Sequence, residues 1–212
     1  MIPLDFTPVS TLMTVSRRLA EYGWLPATSG NLSLKAPDHS VWITRSGSDK
    51  QVLAAEDILH MSPAGMILAG HGKPSFETAI HLAIYQVTDA TAVFHVHTVA
   101  NNLIARYADQ GTITIGPHEM VKALDHWDET AQLQLPVLPN LADMDQLAQR
   151  VVDRLDPKVP GILLENHGIY VFGRSPAITL RYLEAWEFLF RWTLDSRLHD
   201  ALDRLLLLNN RI

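Results

Sequence analysis

The run "AVFHVHTVAN", residues 92 to 101, places the tightest condition on how this chain folds. Its β-formers make a strand, and side chains alternate along a strand. His95 and His97 therefore point to one face while Val96 packs on the other. Two imidazoles in an apolar run must be satisfied there. One reading is a hydrogen-bonded core histidine beside a partly exposed one. The other is a pair gripping one cation, for which imidazole is the commonest protein ligand. A catalytic zinc takes three protein ligands and keeps one position open. "LLENHGIYVF" offers His167 at a turn between two strands that read as buried, with Gly168 beside it to let the backbone bend sharply. With a third candidate the metal reading overtakes the core reading. The chain has no cysteine, so its ligands are nitrogen and oxygen, a set that suits Zn²⁺ and also Mn²⁺, Fe²⁺ or Co²⁺.

The 212 residues suit one domain, expected to span 1–212, and with 47% of them hydrophobic a sizeable core can be buried. The formal net charge is -6 and there is no basic run, which argues against non-specific nucleic-acid binding. Nothing approaches the ~20 consecutive apolar residues of a membrane span. "MIPLDFTPVS" lacks the charged and apolar regions of a secretory leader. The expectation is a soluble cytoplasmic protein.

The pattern predicts a helix from Thr7 to Tyr22 closed by Gly23, then strands "NLSLKA" and "SVWITR" with "PDH" as their turn. "DILHMSPAGMIL" reads as a hairpin and "KPSFETAIHLAIYQV" as a helix opening at Pro74 and Ser75. "GTITIG" reads as a strand, "HEMVKAL" as a short helix, and Asp143 as the cap of a helix through Leu155. "GILLENHGIYVFG" gives two buried strands around a turn at Asn166 to Gly168, and Pro176 opens a long aromatic-rich helix. This mixture predicts an α/β (α+β) domain layered about one mixed sheet.

"ATSGNLS" and "TRSGSDK" are glycine- and hydroxyl-rich loops beside strands. Taken singly, each reads first as an ordinary turn; the alternative is that its successive backbone N–H groups offer a nest for phosphate. Ser75 near a helix start and Lys50 or Lys73 would complete that anion site. Glu77 and Glu119 are the carboxylates available to move protons beside a metal-polarised carbonyl. The bland readings are a favourable first-turn charge for Glu77 and a solvated helix residue for Glu119. "HEMVK" at His118 fails as a zinc-protease motif, because Lys122 stands where the second histidine belongs. His81 falls one turn after Glu77 and reads as a support residue or as packing.

Taken together, "SGNLS", "TRSG", "KPSFET", "HVH" and "NHG" resemble the class II aldolase family of zinc-dependent sugar-phosphate enzymes, which includes adducin-like relatives. The order and spacings fit from about residue 10 to 195. The resemblance implies a central, largely antiparallel sheet flanked by helices and zinc held by His95, His97 and His167. It implies phosphate held by Gly30, Asn31, Ser46, Gly47 and Ser75, with Lys50 matching a lysine of the family's dehydratases. Glu119 matches the acid/base of that dehydratase branch, and Glu77 matches the glutamate of the aldolase branch. It further implies a sugar-phosphate substrate and a homotetramer with active sites near subunit contacts. The alternatives are an aldolase or epimerase of the same fold, or a non-catalytic interaction module.

Overall fold

The computed structural model describes residues 7–209. The leader reading falls mostly on residues 1–6, outside that range. Helix α1 runs Pro8–Glu21, with the Thr7 hydroxyl accepting from the Ser10 N–H as its cap. Gly23 follows it at φ +72°, a left-handed position that suits glycine. Strands β1 (Asn31–Lys35), β2 (Val41–Thr44), β3 (Ile58–Met61) and β4 (Ile67–Ala69) form an antiparallel meander. Helix α2 (Thr78–Val87) leads to β5 (Ala92–Val96), and α3 (Val99–Ala105) to β6 (Thr112–Ile115). After a 3-10 helix at Glu119–Leu124 come β7 (Leu133–Leu138), α4 (Met144–Arg154), β8 (Gly161–Leu164), β9 (Gly168–Gly173) and α5 (Pro176–Asn209).

The nine strands form one sheet in the order β4-β3-β2-β1-β5-β9-β8-β7-β6. β7 and β8 are the one parallel pair among the described residues; the others are antiparallel, as expected. β5 sits mid-sheet between β1 and β9, with His95 opposite Asn31 on one side and Tyr170 on the other. Its side chains split the core. Phe94 and Val96 join Leu12, Leu19, Leu32, Trp186 and Phe190 on one face, beneath α1 and α5. Val93 joins Ile80, Ile84, Leu147, Val151 and Tyr170 on the other, beneath α2 and α4. Each such buried apolar side chain contributes roughly 1.5–3 kcal/mol. Leu183, Trp186, Leu189 and Phe190 recur at helical spacing and seat α5 on the sheet. From Arg197 onward every described residue of α5 is exposed. No helix of the described residues is long and apolar enough to cross a membrane.

Two local readings are corrected and one strand is added. The helix expected from Pro74 starts at Thr78, because Pro74 bridges to Arg45 and residues 75–77 form a turn. "HEMVKAL" closes as a 3-10 helix rather than an α-helix, ending at Asp125 with φ +63°. β7 escapes the pattern reading because Pro136 interrupts an alternating run and demotes it as a strand.

Candidate metal centre

His95 is fully buried on the α2 face of β5, and His97 follows just past the strand's end. The His97 N–H donates to the Trp24 carbonyl at 3.2 Å, which ties this end to the loop after α1. His167 arrives on the β8–β9 turn, where Asn166 takes φ +53°. Gly168 makes the approach possible. A Cβ there would lie 2.3 Å from the Val96 carbonyl oxygen and 2.9 Å from His95 Cε1. Gly30, at φ +77°, likewise lies where a Cβ would meet the His95 carbonyl oxygen at 2.8 Å.

The three rings converge through their Nε2 atoms. His95 Nε2 is 2.8 Å from that of His97 and 3.4 Å from that of His167. His95 Nδ1–H donates to the Ile169 carbonyl at 2.9 Å, and His167 Nδ1–H to Asn140 Oδ1 at 3.2 Å. These bonds select the tautomer in which each Nε2 turns a lone pair inward. Glu77 adds its carboxylate, 2.8 Å from His167 Nε2 and 3.5 Å from His95 Nε2. Lone pairs gathered so closely repel unless a cation or proton stands among them. This donor set therefore fits a divalent metal, and the ligand atoms of His95, His97 and His167 all lie within 4.8 Å of one another.

The electrostatics agree with that chemistry. Burial holds His95 well below the ordinary histidine value and lowers His97 to about 4, with His167 adding to the effect. Burial alone would raise Glu77, but His95, His167 and Asn31 hold it far below the usual carboxylate range, as an anion. Asn31 Nδ2 donates to Glu77 Oε2, and Asn31 Oδ1 accepts from His81 Nε2. His81 accepts from Ser33 Oγ at its other nitrogen and is lowered to about 4 by burial. The Tyr170 ring stacks on His95 at 3.9 Å between centroids. Asn31, Asn140, His81 and Tyr170 thus orient the donors. The sequence signalled only Asn31 and His81 among them.

The loops read as a phosphate site come together. Arg45 bridges to Pro74, the Ser46 N–H donates to the Lys73 carbonyl at 3.0 Å, and Lys50 Nζ donates to the Thr28 carbonyl at 3.0 Å. These contacts join the loops carrying Gly30 and Asn31, Ser46 and Gly47, and Ser75 to one another. Lys50 is only 4% exposed. An ammonium has three N–H donors, so a buried one suits an anion. Beside His97 opens a cavity of about 460 Å³, with Pro26, Val99 and Leu103 among its walls. Glu119 lies elsewhere. Its side chain is 77% exposed and ion-paired with Lys122 at 2.9 Å. β6, which leads into its turn, is four places from β5 in the sheet, roughly 19 Å at the usual strand spacing.

A mostly antiparallel sheet that mounts three imidazoles and a carboxylate over glycine-rich loops, in a group able to hold a metal ion, defines a domain of the class II aldolase type. Residues 10–194 match the class II aldolase and adducin N-terminal domain family, and the chain belongs to it. It is 43% identical over 188 residues to a methylthioribulose-1-phosphate dehydratase of Persephonella marina, covering 87% of each chain. A protein of the same name from Bacillus subtilis is 41% identical, covering 86% of this chain and 90% of the relative. Among solved structures, an L-fuculose 1-phosphate aldolase superposes with a TM-score of 0.77 at 24% identity, over 93% of this chain and 88% of its own.

Proposed function

We propose that this chain catalyses the dehydration of 5-methylthioribulose 1-phosphate to 2,3-diketo-5-methylthiopentyl 1-phosphate, a step of methionine salvage, with zinc at the histidine centre. The convergence of the His95, His97 and His167 Nε2 atoms beside Glu77 carries the reading. Identities of about 40% to dehydratases of that name give it its substrate. Residues 1–212 act as one domain, in a cytoplasmic homotetramer.

His95, His97 and His167 would hold the ion, which supplies Lewis acidity toward the substrate ketone. The joined loops with Gly30, Asn31, Ser46, Gly47 and Ser75 bind the phosphate, and Lys50 adds its charge. That remote binding energy orients the reacting end. The cavity walled by Pro26, Val99 and Leu103 suits the apolar methylthio end. Glu119 takes the C3 proton and returns a proton to the leaving C4 hydroxyl. Water departs, and the enol left across C3 and C4 tautomerises to the diketone. Because Glu119 is exposed, pairs with Lys122 and makes no contact with the histidines among the described residues, it acts on the centre of a neighbouring copy. Glu77 stays ionised and places a negative charge beside the three rings, where it favours the bound cation.

One observation favours a second reading. Glu77, not Glu119, is the carboxylate within reach of the histidines, and that is the position matched by the aldolase branch. An aldolase or epimerase of the same fold would use it as the proton carrier. Incubation with fuculose 1-phosphate and with methylthioribulose 1-phosphate separates the two. Diketone from the latter supports dehydration; dihydroxyacetone phosphate from the former supports cleavage.

A further inference from the structure

Helix α5 buries a carboxylic acid that the reaction above does not use. Glu187 is 2% exposed, and its two oxygens are both engaged. Thr98 Oγ1 donates to Oε2 at 2.8 Å, and Asn101 Nδ2 donates to Oε1 at 3.0 Å. Both donors belong to the start of α3, which begins immediately after His97. Their second tasks lie at the metal centre's backbone. Asn101 Nδ2 also donates to the Val96 carbonyl at 3.3 Å, within the "HVH" segment itself. Thr98 and Asn101 close a reciprocal cap, the Thr98 N–H donating to Asn101 Oδ1 and the Asn101 N–H to Thr98 Oγ1. Asn102, the next residue, donates from Nδ2 to the Thr98 carbonyl at 2.9 Å and to the His167 carbonyl at 2.8 Å. A continuous set of bonds therefore runs from α5 through the first turn of α3 to both segments that carry ligands.

We propose that Glu187 is a positioning residue for the metal centre, fixing through Thr98, Asn101 and Asn102 the backbone that mounts His97 and His167. This rests on the reading of the three histidines as metal ligands. A helix cap of ordinary kind needs no buried acid, since the Thr98 and Asn101 pair already satisfies the end of α3. The acid adds a fixed reference from the long helix, so the distance between the two ligand segments is set by the core rather than by a surface turn. Groups bonded directly to the ligands typically change metal affinity about 10- to 100-fold when removed, and that range is the upper bound for Glu187, which acts one bond further out.

The test measures Zn²⁺ affinity of the full-length apoprotein by competition with a chromogenic chelator. Wild type is expected to bind one Zn²⁺ per chain. Failure of wild type to bind would overturn the metal reading itself. Glu187→Ala is expected to weaken binding by up to about 10- to 100-fold. Glu187→Gln keeps an oxygen for Asn101 and lets the Thr98 hydroxyl accept instead of donate, so it should recover most of that loss. Asn102→Leu, which cuts the ties from the first turn of α3 to the His167 carbonyl and to the Thr98 carbonyl and leaves the buried acid in place, should weaken Zn²⁺ similarly. Leu189→Ala on the same helix serves as the control: it lowers apoprotein thermal stability and should leave Zn²⁺ affinity at the wild-type value. If Glu187→Ala binds Zn²⁺ as wild type does, or if Leu189→Ala weakens it as much, the proposal is wrong.

Discussion

Gly168 lies directly against His97, so that a methyl group on it would stand 2.8 Å from His97 Cδ2 and 2.3 Å from the Val96 carbonyl oxygen. Contacts that short force something to move, and the neighbours here are backbone and ring. Gly168→Ala is expected to lose about 1–3 kcal/mol of stability by overpacking and to lose metal affinity with it. A thermal melt and a metal titration on the same sample check both. Unchanged metal affinity would mean that the turn and the strand end are free to separate.

Glu119→Gln is expected to keep its metal and lose turnover by about two to four orders of magnitude. His97→Ala should lose metal and turnover together. On the proposal that Glu119 serves the histidines of a neighbouring copy, mixing the two inactive variants through a cycle of dissociation and reassembly should restore part of the activity. If no activity returns although mixed oligomers form, Glu119 does not act across copies.

Lys50 is a buried cation with the Thr28 carbonyl as its hydrogen-bond acceptor. Lys50→Met should raise KM for the phosphate ester by about 10- to 100-fold, the scale of a lost charge-assisted hydrogen bond. Metal content should stay at the wild-type level. Comparing the ester with its dephosphorylated analogue isolates the phosphate. An equal loss on both would remove Lys50 from the anion site.

Burial pushes Glu187 from an ordinary 4.5 up to about 7, against the pull of its bonds to Thr98 and Asn101 and of Arg191. Its folded pKa thus lies above its unfolded one. The stability it contributes is fully present below about pH 4.5 and is lost as pH rises through 7, by about 3 kcal/mol at most. Arg191 and Asp195 are the other charged groups lining the same cavity. Denaturant midpoints of metal-free wild type and Glu187→Gln should therefore move apart between about pH 5 and pH 8, wild type weakening relative to the variant. A constant difference would show that the acid ionises freely.

Much of the centre was legible in the sequence because its signals are local. Strand alternation put His95 and His97 on one face, and a glycine after His167 marked a turn. The glycine-rich loops stood beside strands. What escaped was set by distant chain segments. Glu187 follows His97 by a long interval and looked like one more residue of a packed helix. Asn102 and Asn140 are ordinary polar residues whose amides matter only because the turn at His167 folds against them. Pro136 hid β7. The separation of Glu119 from the histidines followed from strand order, which spacing along the chain does not reveal.

Turnover of 5-methylthioribulose 1-phosphate by protein of known metal content asks the decisive question. One-to-one zinc loading should give the 2,3-diketone phosphate, chelation should abolish it, and re-addition of zinc should restore it. Undiminished diketone formation after complete metal removal, or no diketone from fully loaded protein, would contradict a zinc-dependent dehydratase.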